Sequence, residues 1–281
     1  MDVHNAFLHC NLVVEVYIQL LPGFNSTISG NVCRLSKSLY GLRPTPRNWF
    51  AKLSTTLKEI GFQQSYVDYS LFSYLKGDVS IHVLIYVDDL IITGSSSLAI
   101  RKFKEQLGER FHMKNLGILK YFLGIEVAHG KDSLFLSQRK YVLDIISETG
   151  LLGACLVSTP MEQNHHLATI NGVVSDDLEK YRWIVGCLIY LTIMRPKLCY
   201  SVLLLAQFMG EPCVEHWDAT LRVLWSLKGC PGQGILLCEE SNFQLYAFCD
   251  SDWASCPLTR KSLTSYFVLL GSSPVSWKTK K

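Results

Sequence analysis

Ile81-His82-Val83-Leu84-Ile85-Tyr86-Val87-Asp88-Asp89-Leu90-Ile91-Ile92-Thr93 is the stretch on which the reading of the chain turns. Two apolar runs, Ile81 to Val87 and Leu90 to Thr93, are separated only by Asp88-Asp89, the length of a tight hairpin loop. The pattern predicts a β-hairpin carrying two carboxylates at its tip. Adjacent anions in apolar surroundings repel and raise each other's pKa, and hard divalent cations with oxygen ligands relieve that repulsion. A solvated Asp-Asp turn is the plainer explanation, favoured at roughly three to one in an arbitrary sequence. Asp2, in Met1-Asp2-Val3-His4-Asn5-Ala6-Phe7-Leu8, shifts that balance. A third carboxylate beside a strand end could complete a site for two metal ions, one activating an attacking hydroxyl and one neutralising a leaving diphosphate.

Composition sets the frame around this hairpin. At 281 residues the chain can hold two domains, each able to bury a core. Apolar residues make up 48% and charged residues 18%, with a mean hydropathy of +0.18, which excludes a disordered chain. A net charge of +3 neither supports nor excludes a nucleic-acid partner. The ten cysteines contain no C-x-x-C pair and no Cys/His spacing suited to tetrahedral zinc, and read as reduced and mostly buried. No apolar run approaches the roughly 20 residues of a membrane span, and no signal-peptide pattern opens the chain, so no membrane partner and no secretion are expected.

Outward from the hairpin, helix and strand patterns alternate. Thr45-Pro46 reads as a cap and first-turn proline of a helix with Trp49, Leu53, Leu57 and Ile60 on one face, ended by Gly61. Ser97 is expected to cap a second helix burying Ile100, Phe103, Leu107 and Phe111, and Ser137 to Gly150 reads as a third. Strands are expected near 81–87, 90–93, 120–127 and 133–136. A looser stretch, 157–177, precedes a helical block with helices ending before Arg195-Pro196, over 198–209 and over 214–227. Short strand-like runs at 234–237, 243–249, 265–270 and 274–277 follow.

These residues carry a family resemblance. Tyr86-Val87-Asp88-Asp89 resembles the catalytic hairpin of reverse transcriptases, and Met1-Asp2-Val3 to Phe7-Leu8 resembles the first palm motif of the copia-type retrotransposon group. Ser38-Leu39-Tyr40-Gly41-Leu42-Arg43 with Pro46-Arg47 and Trp49-Phe50 is similar to the template- and nucleotide-contacting segment, and Leu123-Gly124-Ile125-Glu126 to the primer-gripping hairpin. Tyr190-Leu191-Thr192, Arg195-Pro196 and Phe248-Cys249-Asp250-Ser251-Asp252-Trp253-Ala254 extend the likeness to the thumb, the connection and the opening of RNase H.

The resemblance implies an α+β fold: a reverse-transcriptase palm at 1–156 with a ferredoxin-like antiparallel sheet, a helical thumb and connection at 157–233, and a partial RNase H-like sheet at 234–281. It implies RNA-directed DNA synthesis with Asp2, Asp88 and Asp89 holding two Mg2+ or Mn2+ ions, and Asp250 as a metal ligand of RNase H. Phe7, Gly41, Tyr86 and Lys114 would contact the nucleotide, with the Phe7 ring barring a ribose 2′-hydroxyl, and Leu123, Gly124 and Ile125 would grip the primer. The implied partners are an RNA template, a DNA primer, deoxynucleotides, and the rest of a Pol polyprotein or a dimer partner, in the cytoplasm within virus-like particles or in the nucleus. The chain is expected to be a truncated copy lacking fingers and the remaining RNase H, and defective in activity. The competing expectation is a non-catalytic retrotransposon relic or a domesticated nucleic-acid-binding module.

Overall fold

The computed structural model describes residues 1–12, 14–20, 23, 32–162, 165, 167, 172–174, 177–239, 242–256 and 259–281. They fall into two compact units, Met1–Leu119 and Lys120–Lys281. These units do not coincide with the three segments expected from sequence.

The first unit contains β1 (Asp2–Val3), β2 (Tyr17–Gln19), β3 (Val32–Arg34), α1 (Thr45–Ile60), β4 (Gln63–Gln64), β5 (Leu71–Lys76), β6 (Val79–Tyr86), β7 (Asp89–Gly94), α2 (Ser97–Arg110) and β8 (Met113–Lys114). Six strands form one antiparallel sheet in the order β4-β5-β6-β7-β1-β8, while β2 and β3 pair separately. Alternation along β6 buries Ile81, Val83 and Ile85, and these share a core with Trp49, Leu53 and Leu57 of α1 and Phe103 and Leu107 of α2. Each fully buried leucine or isoleucine there contributes about 1.5–3 kcal/mol relative to exposure.

Several local expectations shift. Thr45 is the first residue of α1, and Pro44 takes the cap position without a side-chain bond. The Thr45 hydroxyl instead donates to the Leu39 carbonyl at 3.0 Å, tying the loop that carries Gly41 to the helix start. Ser96, not Ser97, caps α2, its hydroxyl accepting from the Ala99 amide at 3.3 Å. Strand β5, absent from the sequence reading, pairs with β6 across a two-residue Gly77-Asp78 link, with Lys76 opposite Val79. Its polar positions, Ser73 and Lys76, weaken the alternation, so its strand state comes from the partner.

The second unit contains β9 (Tyr121–Phe122), β10 (Ile125–His129), β11 (Ser133–Ser137), α3 (Arg139–Glu148), α4 (Leu178–Leu191), α5 (Cys199–Ala206), α6 (Val214–Gly229), β12 (Gly234–Cys238), β13 (Leu245–Asp252), β14 (Leu263–Leu270) and β15 (Ser273–Lys280). Its helices share a core that includes Val142, Ile146, Tyr181, Ile184, Leu188, Leu205 and Leu224. The strand expected at 120–127 is two strands divided by a turn at Leu123-Gly124. The run at 234–237 does not join the later strands: β12 pairs with β11, giving a sheet β12-β11-β10-β9, while β13-β14-β15 forms its own antiparallel sheet. Gly234 permits that pairing, since a Cβ there would lie 2.1 Å from the Leu136 carbonyl oxygen. The looser stretch at 157–177 lies partly outside the described residues.

Candidate active site

The hairpin forms where the apolar runs place it, with its tip one residue earlier than expected. Tyr86 pairs with Asp89, so Val87 and Asp88 make the two-residue link and Asp89 opens β7. Val87 takes a left-handed φ of 55°. That conformation is costly for a β-branched residue, by about 1–3 kcal/mol.

Strand β1 lies against the start of β7, with Asp2 opposite Asp89. The pairing is closed by Val3 N–H donating to the Asp88 carbonyl at 3.0 Å, and Leu90 N–H donating to the Met1 carbonyl at 2.8 Å. Directly opposed residues put their side chains on one face of a sheet, with Cβ atoms about 4.5–5.5 Å apart. On the other side of β1, Lys114 is the cross-strand partner of Asp2. A row of Lys114, Asp2 and Asp89 therefore crosses three strands, with Asp88 in the turn beside it.

The electrostatics follow this placement. Burial pushes the Asp89 carboxyl above the usual carboxylate range, and the charges of Asp88 and then Asp2 push it further; the Met1 amino group acts in the opposite sense. Burial likewise raises the Tyr40 phenol, and Asp88 and Asp2 raise it further, so Tyr40 stands within the field of the same two carboxylates. The Phe7 ring packs on Tyr40 at 4.6 Å between centroids. Next to it, Gly41 has φ 89°, and nothing lies within 4 Å of where a Cβ would point. Its glycine requirement is one of backbone conformation facing open space. Tyr86 is half exposed. The structure thus gathers Asp2, Asp88, Asp89, Phe7, Gly41 and Lys114 in the first unit. Tyr40, passed over in the sequence in favour of its neighbour Gly41, belongs with them.

A donor set of three carboxylates with one elevated proton affinity suits a hard divalent ion. Among the described residues, however, no three His, Cys, Asp or Glu side chains are already grouped as a metal cage. The carboxylates fit the ion in chemistry and must draw together to hold it.

The remaining predicted residues lie in the second unit. Leu123 (φ 49°) and Gly124 (φ 78°) form the link between β9 and β10, with Phe122 opposite Ile125. The Tyr190 hydroxyl donates to the Leu123 carbonyl, and its ring lies 3.5 Å from where a Gly124 Cβ would sit. Asp250 is exposed on β13 opposite Ser265, its carboxylate accepting from the Ser251 amide at 2.9 Å.

The family model for reverse transcriptase (RNA-dependent DNA polymerase) matches residues 1–163. The chain belongs to this family. It is 42% identical to the retrovirus-related Pol polyprotein from transposon RE2 of Arabidopsis thaliana, a match covering 100% of the chain and 19% of that relative. Identity to the Pol polyprotein from transposon TNT 1-94 of Nicotiana tabacum is 32%, covering 100% of the chain and 22% of the relative. A Saccharomyces cerevisiae protein named for transposon Ty5-1 is 30% identical, with 100% of the chain and 92% of the relative covered. These relatives place the reverse transcriptase among the Pol polyproteins of copia-type retrotransposons. The chain spans about a fifth of the length of the plant polyproteins it matches.

Proposed function

We propose that Asp2, Asp88 and Asp89 form the nucleotidyl-transfer site of an RNA-directed DNA polymerase, extending a DNA primer on an RNA template. The observation that carries this reading is the pairing of Asp2 with Asp89 next to Asp88, with Tyr40 in the field of Asp88 and Asp2 and the Phe7 ring packed on Tyr40. In the reaction the primer 3′-hydroxyl loses its proton and attacks the α-phosphate of the incoming nucleotide, and diphosphate leaves. Two Mg2+ or Mn2+ ions held by the three carboxylates would lower the hydroxyl's pKa and neutralise charge on the leaving group. Lys114, across from Asp2, is assigned to the nucleotide phosphates. Gly41 admits close backbone approach of the nucleotide, and the Phe7 ring, braced by Tyr40, bars a ribose 2′-hydroxyl.

In the second unit, Leu123, Gly124 and Ile125 are assigned to primer binding, on a turn fixed by Tyr190. The helices α4 to α6 are assigned to the thumb and connection. The sheet β13-β14-β15 is assigned as the opening of an RNase H domain with Asp250 as a metal ligand, a boundary moved past Cys238 because β12 pairs with β11.

Extension of a DNA primer on an RNA template by the full chain tests the reading. Magnesium-dependent extension, abolished in Asp88→Asn, is the expected result. Salt-dependent nucleic-acid binding that ignores Asp88→Asn, without any extension, would establish the non-catalytic alternative instead.

A further inference from the structure

The hairpin tip holds a contradiction that its own sequence does not resolve. Val87, β-branched and 41% exposed, keeps a left-handed φ although its own side chain is not buried in the core. Strained backbone persists where the surroundings over-determine it. One strand-side bond, from Val3 N–H to the Asp88 carbonyl, restrains the turn. From the helix side comes another: the Trp49 indole Nε1–H donates to the Val87 carbonyl at 2.6 Å.

Trp49 is completely buried, and its ring meets Phe111 edge-on at 5.2 Å. Its N–H is the ring's one polar atom and needs a partner when buried. We propose that Trp49 is a positioning residue for the catalytic hairpin: its indole N–H holds the Val87 peptide in the left-handed turn and so sets the directions of the Asp88 and Asp89 carboxylates. The proposal deepens the polymerase reading and rests on it for the consequence, though not for the contact itself. Without the bond, Val87 relaxes toward negative φ, the peptide rotates, and the Asp88 carboxylate swings away from Asp2. Replacing the indole with a phenyl ring removes the donor while keeping an apolar ring against Phe111 in the core.

Trp49→Phe keeps the ring and removes the donor. Val87→Gly removes the conformational penalty, since glycine takes positive φ freely. The two changes are therefore coupled if the indole works by restraining Val87. The test uses the full chain with Mn2+ as the probe, its affinity read by electron paramagnetic resonance, and 15N-labelled indoles observed by NMR. Trp49→Phe is expected to weaken Mn2+ binding by about fivefold to tenfold, the scale of one hydrogen bond. In the Val87→Gly background the same change should weaken it by less than about twofold, and the Trp49 indole proton in the unaltered chain should be protected from exchange. Equal weakening in both backgrounds, or no weakening, would show that Trp49 is only core, and a freely exchanging indole proton would overturn the proposal without any variant having to fold. If Mn2+ binding in the unaltered chain ignores Asp88→Asn, the polymerase reading fails by itself. The role of Trp49 is then decided by the amide signals of Val87 to Asp89, which must shift in Trp49→Phe and would refute the proposal by staying still.

Discussion

Replacing Asp89 with asparagine should stabilise the protein at neutral pH. Asp89 is half-buried, lies directly opposite Asp2 and follows Asp88, and its carboxyl is pushed above the ordinary range by burial first and by those two charges next. Like charges directly opposed across strands cost about 0.2–1 kcal/mol. Asparagine keeps the shape and removes the charge, so a gain near the upper end of that range is expected, or about 2–4 °C in Tm for a chain of this size. The direction with pH follows from the raised value. The folded chain binds the Asp89 proton more tightly than the unfolded chain does, so stability falls as pH rises from about 3.9, the unfolded value, through the higher folded value. Above that window the penalty is complete and the variant is more stable; below it both carboxyls are protonated and the difference vanishes. Thermal unfolding at pH 7 and below pH 4, with and without Mg2+, measures this. Magnesium should raise the Tm of the unaltered chain more than that of Asp89→Asn. A variant less stable at pH 7, or a difference independent of pH, would refute the anionic-cluster argument.

Two further outcomes follow from local geometry. Phe7→Val shortens the ring that packs on Tyr40, and should let ribonucleotides compete with deoxynucleotides, read as a fall in the ratio of their kcat/KM values for primer extension. Gly234→Ala would force a Cβ to 2.1 Å from the Leu136 carbonyl oxygen, backbone that cannot step aside, and should destabilise the second unit by about 1–3 kcal/mol in urea unfolding while leaving the first unit's transition in place.

Much of the architecture was legible from periodicity. The face Trp49, Leu53, Leu57 repeats at helical spacing and is fully buried in α1, and Ile81, Val83 and Ile85 alternate as a half-buried strand must. What escaped the sequence is whatever a distant partner decides. Thr45 spends its hydroxyl on Leu39 instead of capping its helix, and β12 belongs to β11 because of a close backbone approach at Gly234 that no local pattern announces. At the site the three aspartates were readable as residue types, but the register was not. Counting apolar residues puts Asp88-Asp89 in the loop, whereas the strained Val87 moves the tip back by one and makes Asp89 a strand residue facing Asp2. The donor at Trp49 that meets this strain is 38 residues away, on a helix whose tryptophan read as part of a buried face and of the template-contacting segment, with nothing to tie it to the hairpin tip.

The central claim is that a divalent ion is held between β1 and the β6–β7 tip, beside Tyr40-Gly41. Fe2+ substituted for Mg2+, with ascorbate and peroxide, generates hydroxyl radicals that cut backbone within reach of the bound ion, and the fragments map its position. Cuts at residues 1–3, 87–89 and 40–41, suppressed by excess Mg2+ and lost in Asp88→Asn, are the predicted pattern. Cleavage that avoids these three segments, or that persists unchanged in Asp88→Asn, would contradict it.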